Sequence, residues 1–151
     1  MSDKITDQIY IGSAQDALHR PLPSGVTAIL NVAQDLVNPR PLYLANITMC
    51  HIPLTDGGSN SIEMVALALQ CLDALIHQGE VVLVHCHEGK SRSVGVVAAW
   101  LAGVAFDEEG NSVAQDISEA EMIIKEHRPR ADINSDLRPL LIAASKMAGW
   151  T

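Results

Sequence analysis

A cysteine and an arginine six positions apart are the residues in this sequence best suited to chemistry. Cys86 follows an apolar run that ends at His85, and Arg92 comes after the short polar segment 87–91. Successive backbone amides in such a loop can converge on one anion, and a planar guanidinium can hold two phosphate oxygens. A positive environment also lowers the pKa of a thiol and keeps it as a nucleophilic thiolate. The spacing therefore predicts a phosphate cradle with a cysteine nucleophile at its base.

The backbone amides of the loop are expected to complete the cradle. They belong to His87, Glu88, Gly89, Lys90, Ser91 and Arg92. Gly89 permits a close backbone approach or a positive φ. Two interpretations of Lys90 stay open: extra positive charge for a multiply charged substrate, or a solvated lysine. Ser93 is either a hydrogen-bond donor to the Cys86 sulfur or the N-cap of the next helix, and these roles are compatible.

The segments on either side of the loop must position it. The apolar run 81–85 predicts a buried strand, and the apolar segment 93–102 predicts a helix that Gly103 is placed to end. The loop would then lie between the end of a strand and the positive end of a helix, which favours a bound anion.

Apolar patterns elsewhere predict further strands and helices. Strands are expected at 8–11, 26–32 and 47–52, the last stopped at Pro53. A short helix capped by Ser13 and longer helices at 62–76, 118–128 and from Asn134 or Ser135 onward are also expected. Capping-box pairs predict the starts of two of these helices, Asn60 with Glu63 and Ser118 with Glu121. Residues 33–47 hold no long element, and 106–116 reads as an exposed connection.

This alternation predicts the fold class. We expect an α/β fold of one domain over residues 1–151, with a central, mostly parallel twisted sheet flanked by helices. Ligands in such sheets bind beyond the carboxyl ends of the strands, which is where the loop at 86–92 falls.

Charge and composition exclude several classes of function. The 151 residues include 18 acidic and 10 basic side chains, for a net charge of −8, which argues against binding of nucleic acid or anionic membranes. No apolar run reaches the roughly 20 residues of a membrane span, and the first residues lack the apolar stretch of a signal peptide. Three cysteines without a C-x-x-C pair fit a reducing compartment. We therefore expect a cytoplasmic protein without stable membrane association.

Histidines flank the loop cysteine and raise a metal site as an alternative. His85 and His87 lie on either side of Cys86, and His51 stands elsewhere. Adjacent strand positions point to opposite faces, and the sequence holds no further cluster of histidines and cysteines to complete four ligands. The sequence therefore predicts neither a metal nor another cofactor.

Residues 85–93, His-Cys-His-Glu-Gly-Lys-Ser-Arg-Ser, resemble the H-C-x5-R-[ST] signature of cysteine-dependent protein phosphatases, and most of all their dual-specificity branch. Segments 10–13, 25–33 and 118–129 are similar to that branch in the expected order. The resemblance implies a protein tyrosine phosphatase-like fold and hydrolysis of phosphomonoesters through a phosphocysteine intermediate. The connection at 104–117 looks several residues longer than in compact members.

The resemblance also implies roles for individual residues. Cys86 would be the nucleophile, and Arg92 would bind the phosphoryl oxygens in the transition state; a surface ion pair for Arg92 would leave the spacing unexplained. Asp56, on a glycine-rich loop 30 residues before Cys86, would be the general acid, although Asp-Gly-Gly also suits a turn. Three further residues are expected to support the site structurally: His85, Asn31 and Asn134.

The expected substrates are phosphorylated proteins. Aromatic residues form only 3% of the chain, so we expect a shallow pocket that admits phosphoserine and phosphothreonine as well as phosphotyrosine. Lys90 leaves a phosphoinositide substrate open. A phosphoprotein-binding pseudophosphatase is disfavoured because Cys86, Arg92 and Asp56 are all present. A rhodanese-like sulfur transferase fits the six-position step to the arginine less well.

Overall fold

The computed structural model describes residues 1–37 and 46–150, and these contain five strands and five helices, with the last three helices following the last strand. The strands are β1 Asp3–Thr6, β2 Ile9–Gly12, β3 Ala28–Ala33, β4 Thr48–Leu54 and β5 Val82–His85. The helices are α1 Ala14–Leu18, α2 Ile62–His77, α3 Arg92–Gly103, α4 Ile117–His127 and α5 Arg138–Met147. Positions 38–45 of the connection predicted to be irregular lie outside the described residues.

The strands form one sheet in the order β1-β2-β5-β3-β4. The pairs β2–β5, β5–β3 and β3–β4 are parallel, and only β1 runs antiparallel to its neighbour β2. The predicted α/β class with a mostly parallel sheet is therefore confirmed. Strand β5 is central and buried at every position, as expected for a strand covered on both faces. The predicted phosphate loop thus leaves from the middle of the sheet.

Two strand predictions were wrong. Strand β1 was missed because its sequence, Asp-Lys-Ile-Thr, has no alternating apolar pattern, and only Ile5 in it is buried. Strand β4 was expected to stop at Pro53 but continues to Leu54. Strand β4 lies at the edge of the sheet, so one of its sides has no neighbouring strand. Pro53 can face that open side, and its lack of an N–H then costs no hydrogen bond of the ladder.

The start of α2 at residue 62 was predicted correctly, but its capping residue was placed one position too early. Ser61, not Asn60, caps the helix by accepting a hydrogen bond from the backbone N–H of Met64. The Asn60 side chain instead accepts from the backbone N–H of Thr55 at 2.8 Å and donates to the carbonyls of Thr55 and Gly57. Asn60 therefore holds the preceding glycine-rich loop closed.

The capping box predicted for α4 was also wrong. Asp116 caps this helix by accepting from the Glu119 backbone N–H at 2.8 Å. Glu121 does not reach back to the cap; its carboxylate accepts from the Ile133 N–H at 2.7 Å and pairs with Arg138. The last helix begins at Arg138 rather than near Asn134, because the Asn134 side chain and backbone make contacts with the predicted phosphate loop and with Asp56.

The sheet is covered on both faces. Residues 30 and 84 face a large core that includes side chains from α2, α3, α4 and α5. The alternate positions, Ile29 and Leu83, face a smaller cluster with Ala17 of α1 and Val26. This alternation follows from the two-residue period of a strand. No helix within residues 1–37 and 46–150 is both long enough and apolar enough to cross a bilayer.

Two adjacent residues of α5 test how much the large core contributes to stability. Leu141 is fully buried, whereas Ile142 is 50% exposed. We predict that Leu141→Ala lowers the free energy of unfolding by about 2–5 kcal/mol, because it removes buried methyl groups and leaves a cavity. Urea unfolding measures the change. The matched control Ile142→Ala should cost less than about 1 kcal/mol; equal losses would show that α5 does not pack as described.

Candidate active site

The predicted phosphate loop connects β5 to α3 and has the tight backbone that its glycine indicated. Gly89 has φ of 68°, a conformation that L side chains rarely adopt. A Cβ atom at this position would also clash with the carbonyl of Gly12 and the guanidinium of Arg128. Position 89 therefore requires glycine for both conformation and space.

A cavity of about 460 Å³ opens above the loop, and the structure brings residues from four parts of the chain to it. The lining residues are Asp35, Asp56, Cys86, His87, Glu88, Lys90, Ser91, Arg92, Asp132 and Asn134. Of the residues that the sequence assigned to catalysis, Cys86, Arg92 and Asp56 line this cavity. Asp35 and Asp132 were not among the predicted site residues.

The environment of Cys86 favours its thiolate. The side chain is 3% exposed, and its Sγ lies 3.2 Å from the Ser93 hydroxyl. Burial by itself raises the pKa of this thiol. Hydrogen bonds from the Ser93 hydroxyl and from the backbone amides of Ser93 and Gly89, together with the charge of Arg92, outweigh burial and hold the pKa below its ordinary value. The same serine thus contacts the sulfur and lies in the first turn of α3.

His85 lies behind the loop rather than in the cavity. The side chain is buried, and its Nδ1 donates to the Cys86 carbonyl at 3.0 Å. Burial lowers the pKa of this imidazole despite that hydrogen bond, so the ring is favoured in its neutral form. The supporting role expected for His85 from the sequence stays a prediction.

The Arg92 guanidinium is held at the base of the cavity. Only 9% of its side chain is exposed, and its Nη1 donates to the Leu54 carbonyl at 3.0 Å and to Asp35 Oδ1 at 2.7 Å. Arg92 therefore does form an ion pair, but its guanidinium is buried, so the pair is not one on the open surface. The Arg92 hydrogen bond lowers the pKa of Asp35 and keeps that carboxylate charged.

Asp35 is a site residue that sequence reasoning missed. It follows β3, whose carboxyl end lies beside that of β5, with Asn31 paired to His85. The sequence signal that could have identified Asp35 is its position just after β3, a strand predicted to lie parallel to β5 in the same sheet. Asn31 is fully buried; its amide donates to the Leu36 carbonyl and its Oδ1 accepts from the Ala33 N–H, both at 2.9 Å. Asn31 therefore shapes the turn that carries Asp35.

Asp56 is tied to the phosphate loop by hydrogen bonds. Its Oδ1 accepts from the Ser91 hydroxyl at 2.6 Å, and its backbone carbonyl accepts from the Asn134 amide at 3.2 Å. The Asn134 backbone N–H donates to the same Ser91 hydroxyl at 2.9 Å. These three contacts hold an exposed carboxylate at the mouth of the cavity that contains Cys86.

Arg128 is a second residue that sequence reasoning did not single out. Its guanidinium is almost fully buried, and its Nε donates to the Gly89 carbonyl at 2.7 Å while Nη2 reaches the Glu88 carbonyl at 3.3 Å. Its Nη1 pairs with the Asp3 carboxylate at 2.6 Å. By binding the carbonyls on the outer side of the loop, Arg128 fixes the orientation of the peptides whose amides form the cradle.

The outer loop side chains surround the cavity mouth. His87, Glu88 and Lys90 are exposed, and His87 Nδ1 lies 3.6 Å from Asp35 Oδ2. Lys90 also lines a neighbouring groove of about 580 Å³ that includes Arg130. Among residues 1–37 and 46–150, no group of three or more His, Cys, Asp or Glu side chains could hold a metal ion.

Comparisons with known proteins agree with this geometry. Residues 9–143 match the family "Dual specificity phosphatase, catalytic domain". Dual specificity protein phosphatase 1 of Arabidopsis thaliana is 31% identical over 134 residues, which are 87% of this chain and 62% of that protein. Dual specificity protein phosphatase 9 of Homo sapiens is 34% identical over 103 residues, 65% of this chain and 26% of that protein.

The fold is that of known phosphatase domains. The crystal structure of the Yvh1 phosphatase domain from Chaetomium thermophilum aligns with a TM-score of 0.78 at 22% identity, covering 99% of this chain and 98% of that one. The architecture is thus of the protein tyrosine phosphatase type. The chain belongs to the dual specificity phosphatase catalytic-domain family. It spans about three-fifths or less of the length of the curated relatives named above.

The contact between Ser93 and Cys86 predicts a change in thiol reactivity. We expect Ser93→Ala to move the midpoint of the alkylation-rate profile to higher pH, because it removes a hydrogen bond that lowers the Cys86 pKa. Iodoacetamide labelling across a pH series measures the midpoint. Ser91→Ala is the matched control, since its hydroxyl contacts Asp56 and not the sulfur. A midpoint that stays in place in Ser93→Ala would contradict the assignment.

Proposed function

We propose that this chain is a cysteine-dependent phosphatase that hydrolyses phosphotyrosine, phosphoserine and phosphothreonine in proteins. The observation that carries the proposal is the convergence of Cys86, Arg92 and Asp56 on one open cavity. A thiol with a lowered pKa, a guanidinium and a carboxylate are the nucleophile, the oxyanion partner and the proton carrier that phosphoryl transfer needs.

The first step transfers the phosphoryl group to the enzyme. The Cys86 thiolate attacks phosphorus, so that a P–S bond forms while the P–O bond to the leaving group breaks. Arg92 and the loop amides stabilise the charge on the equatorial oxygens. Asp56, in its protonated form, gives its proton to the departing oxygen, because an alkoxide is a poor leaving group.

The second step regenerates the thiol site. Asp56, now a carboxylate, takes a proton from water, and the water oxygen attacks phosphorus as the P–S bond breaks. The Ser93 hydroxyl, 3.2 Å from Sγ, donates a hydrogen bond to the sulfur as it leaves with the electron pair. Inorganic phosphate is released, and Cys86 is again a thiolate.

The supporting residues keep these groups in register. Asn134 and Ser91 hold the Asp56 loop, Asn31 shapes the turn after β3, and neutral His85 binds the Cys86 carbonyl.

All three cysteines are free, which suits a reducing compartment, and we assign the protein to the cytoplasm on this chemistry.

The cavity favours protein substrates over lipids. Among residues 1–37 and 46–150, none of those that line the cavity is Phe, Tyr or Trp, so this part of the chain supplies no aromatic wall that would select phosphotyrosine alone. A phosphoinositide is the second candidate, because Lys90 stands exposed at the mouth. However, four carboxylates line the same cavity, and they oppose a headgroup with several phosphates. Phosphate release from a panel of phosphopeptides and phosphoinositides compares the two classes directly.

We predict vanadate-sensitive hydrolysis of an aryl phosphate by the wild-type chain. Cys86→Ser should lower kcat by at least about a thousandfold, since a hydroxyl at this site is a far weaker nucleophile than a thiolate. Continuous absorbance at the released phenolate measures the rate. The variant should still bind vanadate. A folded wild type that binds vanadate without turnover would instead identify a phosphoprotein-binding pseudophosphatase.

The role of Asp56 is tested by changing the leaving group. We predict that Asp56→Asn lowers kcat for an alkyl phosphate by about a hundredfold or more, because an alkoxide needs the proton. Hydrolysis of an activated aryl ester, whose phenolate leaves unaided, should fall much less. Asp132→Asn removes the charge of another cavity carboxylate and serves as the control. Equal losses for both esters in Asp56→Asn would rule out the general-acid role.

A further inference from the structure

A short segment between α4 and α5 lies against the phosphate loop. We call this segment, residues 131–134, the strap. The Asp132 N–H donates to the Lys90 carbonyl at 2.8 Å, and the Asn134 N–H donates to the Ser91 hydroxyl at 2.9 Å. These two amides hold the strap and the loop together.

The strap also carries the support of Asp56. The Ser91 hydroxyl that accepts from the strap donates to Asp56 Oδ1 at 2.6 Å, and the Asn134 side chain donates to the Asp56 carbonyl at 3.2 Å. A displacement of the strap therefore moves the carboxylate relative to Cys86. A misplacement of about 1 Å in an active site can cost about a hundredfold in rate.

One buried carboxylate binds the middle of the strap. The N–H of Ile133, between the two amides that face the loop, donates to Glu121 Oε2 at 2.7 Å. Glu121 belongs to α4 and is 7% exposed, and its Oε1 pairs with Arg138 at the start of α5. Because a buried N–H without an acceptor costs free energy, Glu121 fixes the position of this peptide.

Glu121 binds the strap as a charged group. Burial by itself raises the pKa of this carboxyl. The hydrogen bond from Ile133 and the charge of Arg138 outweigh burial and hold the pKa below its ordinary value. The carboxylate is therefore ionised at neutral pH, and its bond to the strap is charge-assisted, which makes it stronger than a bond between neutral groups.

We propose that Glu121 is a positioning residue: its bond to the Ile133 amide holds the strap in place, and the strap places Asp56 beside the leaving group. The inference rests on the proposed phosphatase function and extends its proton transfer to a side chain that does not line the cavity. The contacts that transmit the effect do not include Cys86, so the reactivity of the thiol should not depend on Glu121.

Two variants isolate the hydrogen bond to the strap. Glu121→Gln keeps an oxygen acceptor for the Ile133 N–H, whereas Glu121→Met has a similar length and removes the acceptor. We expect Glu121→Met to lower kcat for an alkyl phosphate about tenfold more than kcat for an activated aryl ester, because the alkoxide needs the proton. In Glu121→Gln the ratio of the two rates should stay within about threefold of wild type.

A loss of stability alone would lower both rates alike. Equal losses for the two esters in folded Glu121→Met would therefore overturn the proposal, and so would the same change of ratio in Glu121→Gln. The midpoint of Cys86 alkylation should stay at its wild-type pH; a shifted midpoint would place the disturbance at the nucleophile and also overturn the proposal. Glu126→Gln, an exposed position of the same helix, is the matched control. If Glu121→Met does not fold, Glu121→Ala replaces it.

Amide hydrogen exchange separates this inference from the proposed function, because it needs no turnover. Relative to the amides of α3, the Asn134 N–H should exchange about tenfold faster in Glu121→Met than in wild type or Glu121→Gln. A wild type without turnover that shows this pattern would refute the phosphatase assignment alone. Unchanged exchange of the Asn134 N–H in Glu121→Met would refute the role of Glu121 alone.

Discussion

The burial of the Cys86 sulfur at the end of the central strand, with a pKa held below its ordinary value, is the constraint on which the rest of the structure depends. Burial alone would keep Cys86 protonated, so the surroundings must supply enough hydrogen bonds and positive charge to reverse that effect. The loop amides can do this only if their peptides are turned inward. That requirement accounts for the positive φ of Gly89 and for the glycine itself, whose Cβ has no room.

Peptides turned inward leave carbonyls on the outer side of the loop, and buried carbonyls need donors. Arg128 provides them for Glu88 and Gly89 and brings its own charge, which Asp3 balances. The short strand β1 therefore supports the site although none of its residues lines the cavity. Arg92, on the cavity side of the loop, is also buried and needs acceptors for its N–H groups; the Leu54 carbonyl and the Asp35 carboxylate accept from its Nη1. Of the two buried arginines, Arg128 thus binds the loop carbonyls from outside, and Arg92 lines the cavity.

What could be predicted from the sequence was local. The strand–loop–helix unit around Cys86, the spacing to Arg92 and the α/β class follow from patterns within short windows, and the structure has them. Asp35 and Arg128 were missed because their partners are 57 and 39 residues away, and nothing in their own neighbourhoods shows that pairing. The cap errors have a different cause. Asn60 and Glu121 have the right spacing for caps, but other partners engage their side chains: Thr55 and Gly57 for Asn60, and Ile133 for Glu121.

The balance of charge around the cavity suggests how the site recognises its substrate. The chain carries a net charge of −8, and among residues 1–37 and 46–150 four carboxylates line the cavity against Lys90 and Arg92. Long-range attraction of a phosphate is therefore weak, and binding must come from short contacts with the loop amides and with Arg92. Such contacts depend steeply on distance and direction. Asp35 enters this balance twice, because its bond engages Nη1 of Arg92 while its charge opposes a phosphate in the same cavity.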